Sequence, residues 1–419
     1  MDDTLAILGR QPALGLAELE SLYGPSNVLP IGSHAALLSI MPCSIDFARL
    51  GGTIKLCKML TILETTIWKE IEQFLISVSP SQAERIPEGK LHLGLSTYDI
   101  QITPKQMLAT GLSIKKAISR TTGRSVHLVP NNEPELNTAQ VLHNKLLSDN
   151  GWELIFVRDG QRTLVAQTLF IQDIQSYGLR DRNRPKRDAR VGMLPPKLAQ
   201  IIINLAVGPQ EFTEVKPELG NDICRKQEDI LRMHAHRQDI TVLDPFCGTG
   251  VLLQEALLMG YGVQGSDLEP RMIEYSQQNL TWLTNRYNIK PNNFTLNIGD
   301  ATTYKWLEPI NIVACEAYLG RPFTSQPMIE LLDQTVSDCD LIVKRFLQNI
   351  RDQIPYKTRL CLAVPAWQFK PGKFRHLPLI DQIEKLGYNR VSFKHSGKNL
   401  LYYRADQIVA RQLLVIIRK

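Results

Sequence analysis

The sequence predicts an α/β protein: a mainly parallel sheet covered by helices in the second half of the chain, preceded by an α+β region. Three observations carry that expectation. Beyond about residue 196, short apolar strands alternate with helical segments, the pattern of parallel strands joined by crossover helices. A glycine loop, "DPFCGTG", stands between one such strand and the next helix. Before residue 176, strands and helices lack that alternation and close on a hairpin signal, Asp159-Gly160.

In chain order, "ALGLAELESLYG" reads as an amphipathic helix ended by Gly24, and "AALLSI" and "IKLCKMLTIL" read as strands. "SVSPSQAERIPEGK", Ser77 to Lys90, is polar and carries two prolines and a glycine, so it reads as a connection between two packed units. "KLHLGLSTYDI" is then a strand, "PKQMLATGLSIKKAISRTTG" a helix ended by Gly123, and "SVHLVP" another strand. "ELNTAQVLHNKLL" reads as a helix and "GWELIFVRDGQRTLVAQTLFI" as two paired strands.

The second half opens at "GMLPPKLAQIIINLAVGP", where Pro195 and Pro196 start a helix with Leu198, Ile201, Ile202 and Leu205 at helical spacing. Strands follow at "DITVLDPF", "YGVQGSDLE", "FTLNIGDAT", "INIVACEAY" and "TRLCLAVPA". Helices fall between them at "GVLLQEALLMG", "PRMIEYSQQNLTWLTNRYN" and "LIVKRFLQNIRDQI". The closing "NLLYYRADQIVARQLLVIIRK" holds two apolar runs too close for a crossover helix, which predicts an antiparallel last strand.

A chain of 419 residues divides naturally into two or three domains, and 43% hydrophobic with 21% charged residues argues against disorder. No run of about 18 apolar residues occurs, and "MDDTLAILGR" lacks the layout of a signal peptide, so a soluble cytoplasmic protein with no membrane partner is expected. Seven scattered cysteines without a CxxC pair suggest neither disulfides nor zinc. His234 and His236 form the one close histidine pair and have no cysteine or acid at ligand spacing, so no metal is expected. The net charge of +6 fits any partner class, but its distribution is uneven. In "RDRNRPKRDAR", Arg180, Arg182, Arg184, Lys186, Arg187 and Arg190 face only Asp181 and Asp188. Such a segment suits a phosphate backbone, and equally a solvated linker. "FKPGKFRH", Phe369 to His376, mixes basic and aromatic residues and suits stacking or a plain solvated loop.

The sharpest motif is "VLDPFCGTGVLLQEAL": a strand ending at Asp244, a loop with Gly248 and Gly250, then a helix. Glycines let backbone approach a ligand closely, and helix N-terminal amides face the same space. The GxGxxG spacing and the P-loop lysine are both absent, so neither a dinucleotide nor a nucleoside triphosphate is indicated. Asp267 in "GSDLEP" ends the next strand, 17 residues after Gly250, where a carboxylate can accept both hydroxyls of a ribose. Asp300 in "NIGDAT" ends the third, where an acid can receive an adenine amino group. Each alone could be a helix cap; in this order the strand ends converge on an adenosine.

Together, "DPFCGTG", "GSDLEP" and "GDAT" resemble the class I S-adenosylmethionine-dependent methyltransferases with a Rossmann-like sheet, specifically the tRNA guanine amino-methyltransferases that carry an N-terminal ferredoxin-like and THUMP region. "RLGGTIKL", "RPKRDARVGMLPPKLAQIIINLA" and "LYYRADQIVARQLLVI" fit the same layout, and "GLSIKKAI" suggests the THUMP part. The resemblance implies a ferredoxin-like region at 1–85, a THUMP-like RNA-binding domain at 86–176, a basic linker at 177–195 and a methyltransferase domain at 196–419. It implies S-adenosylmethionine as cofactor, held by Asp244, Phe246, Gly248, Thr249, Gly250, Asp267, Leu268, Asp300 and Ala301, and tRNA as substrate, methylated at N2 of guanosine 10 or 6. A DNA amino-methyltransferase and a silent tRNA-binding protein are the alternatives.

In such enzymes the fourth strand ends in Asp or Asn, Pro, Pro and an aromatic residue: an acceptor aims the target amino group and the ring stacks on the extruded base. The tetrad here is Cys315, Glu316, Ala317 and Tyr318. In one reading Glu316 supplies the acceptor, Tyr318 the stacking face, and Gly320 with Pro322 a tight loop; in the other the site transfers nothing. A third role, Cys315 as a covalent nucleophile, needs an activated thiolate that no neighbouring residue predicts.

Overall fold

The computed structural model describes residues 3–188, 193–209, 237, 239–290, 293–323, 325–404 and 406–419. Arg190, Cys224, His234 and His236 lie outside them. The strands form two sheets.

The first sheet has eight strands: β1 (Thr4–Leu8), β2 (Val28–Ile31), β3 (Ala35–Leu38), β4 (Thr53–Leu63), β5 (Leu91–Tyr98), β6 (Val126–Leu128), β7 (Gly151–Asp159) and β8 (Arg162–Ile171). Their order is β2-β3-β1-β4-β8-β7-β5-β6. With them come helices α1 (Pro12–Tyr23), α2 (Trp68–Ala83), α3 (Pro104–Thr122) and α4 (Thr138–His143). Alternation sorts the two faces: Ile155 and Val157 pack with Leu5 and Ile7, whereas Leu154 and Phe156 pack with Leu93, Leu95 and Ile114. Two features differ from the sequence expectation. The first part of the expected connection, Ser77 to Ala83, is the end of α2, which keeps Leu75, Ser79 and Ala83 buried despite Pro80. The two expected units also share one sheet, because β4 pairs antiparallel with β8 from Lys55↔Ile171 to Leu63↔Thr163. Across that seam the buried Lys55 ammonium meets the buried Glu153 carboxylate, which also accepts hydrogen bonds from Ser96 and Thr168 at 2.7 Å each.

After α5 (Ile174–Arg182) and α6 (Pro196–Val207) comes the second sheet: β9 (Thr241–Asp244), β10 (Gly262–Asp267), β11 (Phe294–Ile298), β12 (Ile312–Glu316), β13 (Arg359–Lys370), β14 (Lys373–Arg375), β15 (Tyr388–Arg390), β16 (Leu400–Tyr402) and β17 (Val409–Arg418). The order is β11-β10-β9-β12-β13-β17-β15, with β14 on β13 and β16 on β17. The first five strands are parallel, and β17 runs antiparallel to β13, as the closing apolar runs predict. Helices α7 (Val251–Leu258), α8 (Pro270–Tyr287) and α9 (Ile329–Arg351) connect them. Leu198, Ile202 and Leu252 cover one face with Val242 and Ala314; Val343 and Phe346 cover the other with Leu243, Val313 and Cys315. Because the order turns back at β9, the carboxyl ends of β9 and β12 open a crevice.

The two sheets are joined through α1 and α6. Glu18 is fully buried and accepts from the Gly51 and Gly52 amides at 2.9 and 2.8 Å and from Asn204 Nδ2 at 2.7 Å. Asn204 Oδ1 accepts from Arg49 Nε at 2.9 Å, and Arg49 also donates to the Tyr261 hydroxyl at 3.1 Å. The paired glycines of "RLGGTIKL" have a steric reason: a Cβ on Gly51 would lie 2.0 Å from the Lys197 carbonyl oxygen, and one on Gly52 2.5 Å from Gly15 Cα.

Candidate active site

A cavity of about 1240 Å³ opens at the carboxyl ends of β9, β10 and β12 and collects Asp244, Asp267, Asp300, Glu316 and Tyr318. Asp244 is buried and accepts from the Phe246 amide at 3.1 Å. Burial pushes its carboxyl well above the usual range, and the nearby Asp267 and Glu316 push the same way. Asp267 takes the Gly248 amide on Oδ2 at 2.9 Å and the Glu269 amide on Oδ1 at 3.0 Å. Desolvation raises its pKa also. Each of its oxygens keeps a second lone pair for a ligand hydroxyl. Asp300 Oδ1 accepts from the Thr302 amide and hydroxyl at 2.8 Å each, so both acids cap turns and also line the cavity. Phe246, Gly248, Thr249, Leu268 and Ala301 line it too; Gly250 lies at the head of α7.

The loop after β12 carries the altered tetrad. Glu316 ends the strand and Tyr318 is 46% exposed at the cavity. Partial burial raises the Tyr318 hydroxyl pKa, which keeps the ring a neutral phenol at neutral pH. Gly320 turns the loop at φ +81°, and a Cβ there would meet Thr335 Cγ2 at 2.6 Å. Cys315 is corrected by the structure. Strand alternation puts it on the α9 face with no exposure, burial pushes its thiol well above the ordinary value, and it does not line the cavity. A thiol so placed is no nucleophile.

Arg411 is the residue that sequence reasoning missed. From β17 its Nε donates to Glu316 Oε1, and it lines the same cavity. The signal was an arginine inside "IVARQLLVI", because a charge in an otherwise apolar strand needs a partner. Asn279 of α8 was missed as well. Its side chain takes the Lys186 amide at 2.9 Å and donates to the carbonyls of Lys186 and Thr249, tying the basic segment to the glycine loop.

The basic segment divides. Arg180 is buried and bidentate on Glu255, at 2.7 and 3.2 Å, so it holds α5 to α7 and is not open to a phosphate. Arg184 is 3% exposed and equally enclosed. Lys186 is half-buried over the Tyr275 ring at 5.3 Å, and Arg182 and Arg187 are exposed. Arg182 lines a second cavity of about 490 Å³ with Arg10, Lys197 and Arg404, against one acid, Asp181. Tyr402 and Arg404 line this second cavity, and Asp406, Gln407, Ile408, Val409 and Arg411 line the first. Phe369 to His376 is a hairpin of β13 and β14 rather than an open loop; Phe369 is half-exposed and Phe374 packs edge-on against Tyr403 at 5.1 Å.

No described helix is long and apolar enough to cross a membrane. Among the described residues no His, Cys, Asp and Glu cluster could hold a metal ion.

No family model matches the sequence. The chain is 27% identical over 176 residues to a tRNA (guanine(10)-N2)-dimethyltransferase of Pyrococcus abyssi, covering 41% of this chain and 39% of the relative. It is 28% identical over 127 residues to a protein of the same name from Methanothermobacter thermautotrophicus, covering 30% of this chain and 33% of the relative. The matched stretch thus spans between a third and two fifths of those relatives' length. A protein of Clostridium difficile 630 described as a possible methylase superposes with a TM-score of 0.50 at 11% identity, covering 98% of this chain and 97% of that one. The fold is that expected from the sequence: a class I methyltransferase-like, mainly parallel sheet behind an α+β region.

Proposed function

We propose that the protein is an S-adenosylmethionine-dependent methyltransferase acting on the exocyclic amino group of a guanosine in tRNA. The observation that carries the reading is the single crevice in which the strand ends bring Asp244, Asp267 and Glu316 together beside an exposed Tyr318. The three acids suit a nucleoside that presents hydroxyl and amino donors: Asp267 has free lone pairs for ribose hydroxyls, and Asp244 and Asp300 offer acceptor oxygens to amino groups. The residues present therefore fit S-adenosylmethionine. When bound, that cofactor supplies an electrophilic methyl group.

The remaining work falls to this chain. Tyr318 offers an open ring face on which an extruded base can stack. Glu316 accepts a hydrogen bond from the exocyclic amino group, which turns the nitrogen lone pair toward the methyl carbon. The bound cofactor would supply its methyl group to that nitrogen, and the Glu316 carboxylate would pass the nitrogen's surplus proton to water. Arg411 holds that carboxylate in place through its Nε–H hydrogen bond to Glu316 Oε1.

Two relatives named as tRNA (guanine(10)-N2)-dimethyltransferases support tRNA and guanine N2 as target. In this reading residues 1–176 grip the tRNA, and the RNA strand crosses the basic cleft of Arg10, Arg182, Lys197 and Arg404 on its way to the crevice. Competition between unmodified tRNA and duplex DNA for labelled methyl tests it. Label in tRNA, undiminished by excess duplex, is expected; preferential labelling of the duplex would contradict it.

A further inference from the structure

Glu316 and Arg411 form more than an ion pair. Glu316 ends β12 opposite Ala363 of β13, and Arg411 stands on β17 opposite Pro365, so the arginine reaches to the glutamate across β13. Both side chains stay partly open to the cavity, with 15% and 11% exposure. Arg411 Nε occupies Glu316 Oε1, and among the described residues neither side chain makes a second hydrogen bond. A carboxylate oxygen and the two terminal guanidinium nitrogens are thus left for a ligand, acceptor beside donor.

Among the bases that carry an exocyclic amino group, one edge matches that pattern. Guanine presents two donors, N1–H and the N2 amino group, followed by one acceptor, O6. Adenine and cytosine each set a ring-nitrogen acceptor beside their amino group, which would face the carboxylate unfavourably. Resting on the methyl-transfer reading above, we propose that Glu316 and Arg411 act as one reader of the guanine Watson–Crick edge, the carboxylate taking N1–H and N2–H and the guanidinium donating to O6. The pair makes up for the missing prolines and acid of the altered loop: Arg411 fixes the reach of the longer glutamate, a role that a rigid loop would otherwise fill.

The test uses the full chain and a tRNA transcript whose methylated nucleotide has been mapped with the wild type. At that position guanosine is compared with 2-aminopurine, which keeps the 2-amino group and lacks both N1–H and O6. The wild type should favour guanosine in kcat/KM by roughly tenfold or more. In Arg411→Met the guanosine rate should fall and the preference shrink to within about twofold, with Arg411→Lys between them and cofactor affinity unchanged. A purely structural arginine would slow both substrates alike, so a preserved preference in Arg411→Met would overturn the proposal, as would a wild type indifferent to the two bases. If Arg411→Met does not fold, Arg411→Lys decides on the same ratio. Absence of transfer to any transcript by the wild type would instead remove the methyl-transfer reading itself.

Discussion

At the residue scale the cofactor side was legible in the sequence and the reacting side only partly so. Asp244, Asp267 and Asp300 could be placed because strand ends are visible as breaks in apolar runs: the first two end β9 and β10, and Asp300 follows the end of β11 by two residues. Arg411 could not, because its meaning depends on which strand β17 joins, and that pairing is a long-range fact. Asp267→Ala should lower S-adenosylmethionine affinity by at least about tenfold through the lost acceptors, read by calorimetry; unchanged affinity would remove the proposed cofactor site. Cys315→Ala should leave methyl transfer within about threefold of the wild type, since the thiol sits in the core facing α9, and the cost should appear in unfolding instead.

At the scale of elements, composition misled where a segment serves packing as well as charge. The basic stretch reads as a uniform patch, yet helical spacing in α5 turns Arg180 inward onto Glu255 and leaves Arg182 outside. Arg180→Ala would strand a buried carboxylate and should cost about 3–5 kcal/mol in urea unfolding. Arg182→Ala combined with Arg404→Ala should instead spare stability, weaken tRNA binding and flatten its salt dependence by about two phosphate contacts. The loop after β12 was legible through its glycine. Gly320→Val should strain a left-handed turn and crowd Thr335, cutting transfer while cofactor affinity holds.

At the scale of the whole molecule, the parallel sheet and its antiparallel last strand follow from element order. The single eight-stranded first sheet does not, because the β4–β8 pairing joins residues a hundred or more positions apart. The joint between the two sheets rests on Glu18, whose pKa burial raises from its ordinary 4.5 to about 7. Its folded state therefore holds a proton that the unfolded chain releases between those values, so this group's contribution to stability falls as pH rises from about 4.5 to 7 and levels off above. Denaturation of wild type and Glu18→Gln across that window should show the extra slope in wild type alone. The central claim, that "CEAY" is a working loop with Glu316 as acceptor, is tested most directly by transfer of labelled methyl from S-adenosylmethionine to unmodified tRNA. Wild type should label guanosine N2, and Glu316→Gln should be slower by roughly a hundredfold with both binding constants intact. No label from wild type that binds tRNA and cofactor, or equal label from Glu316→Gln, would contradict it.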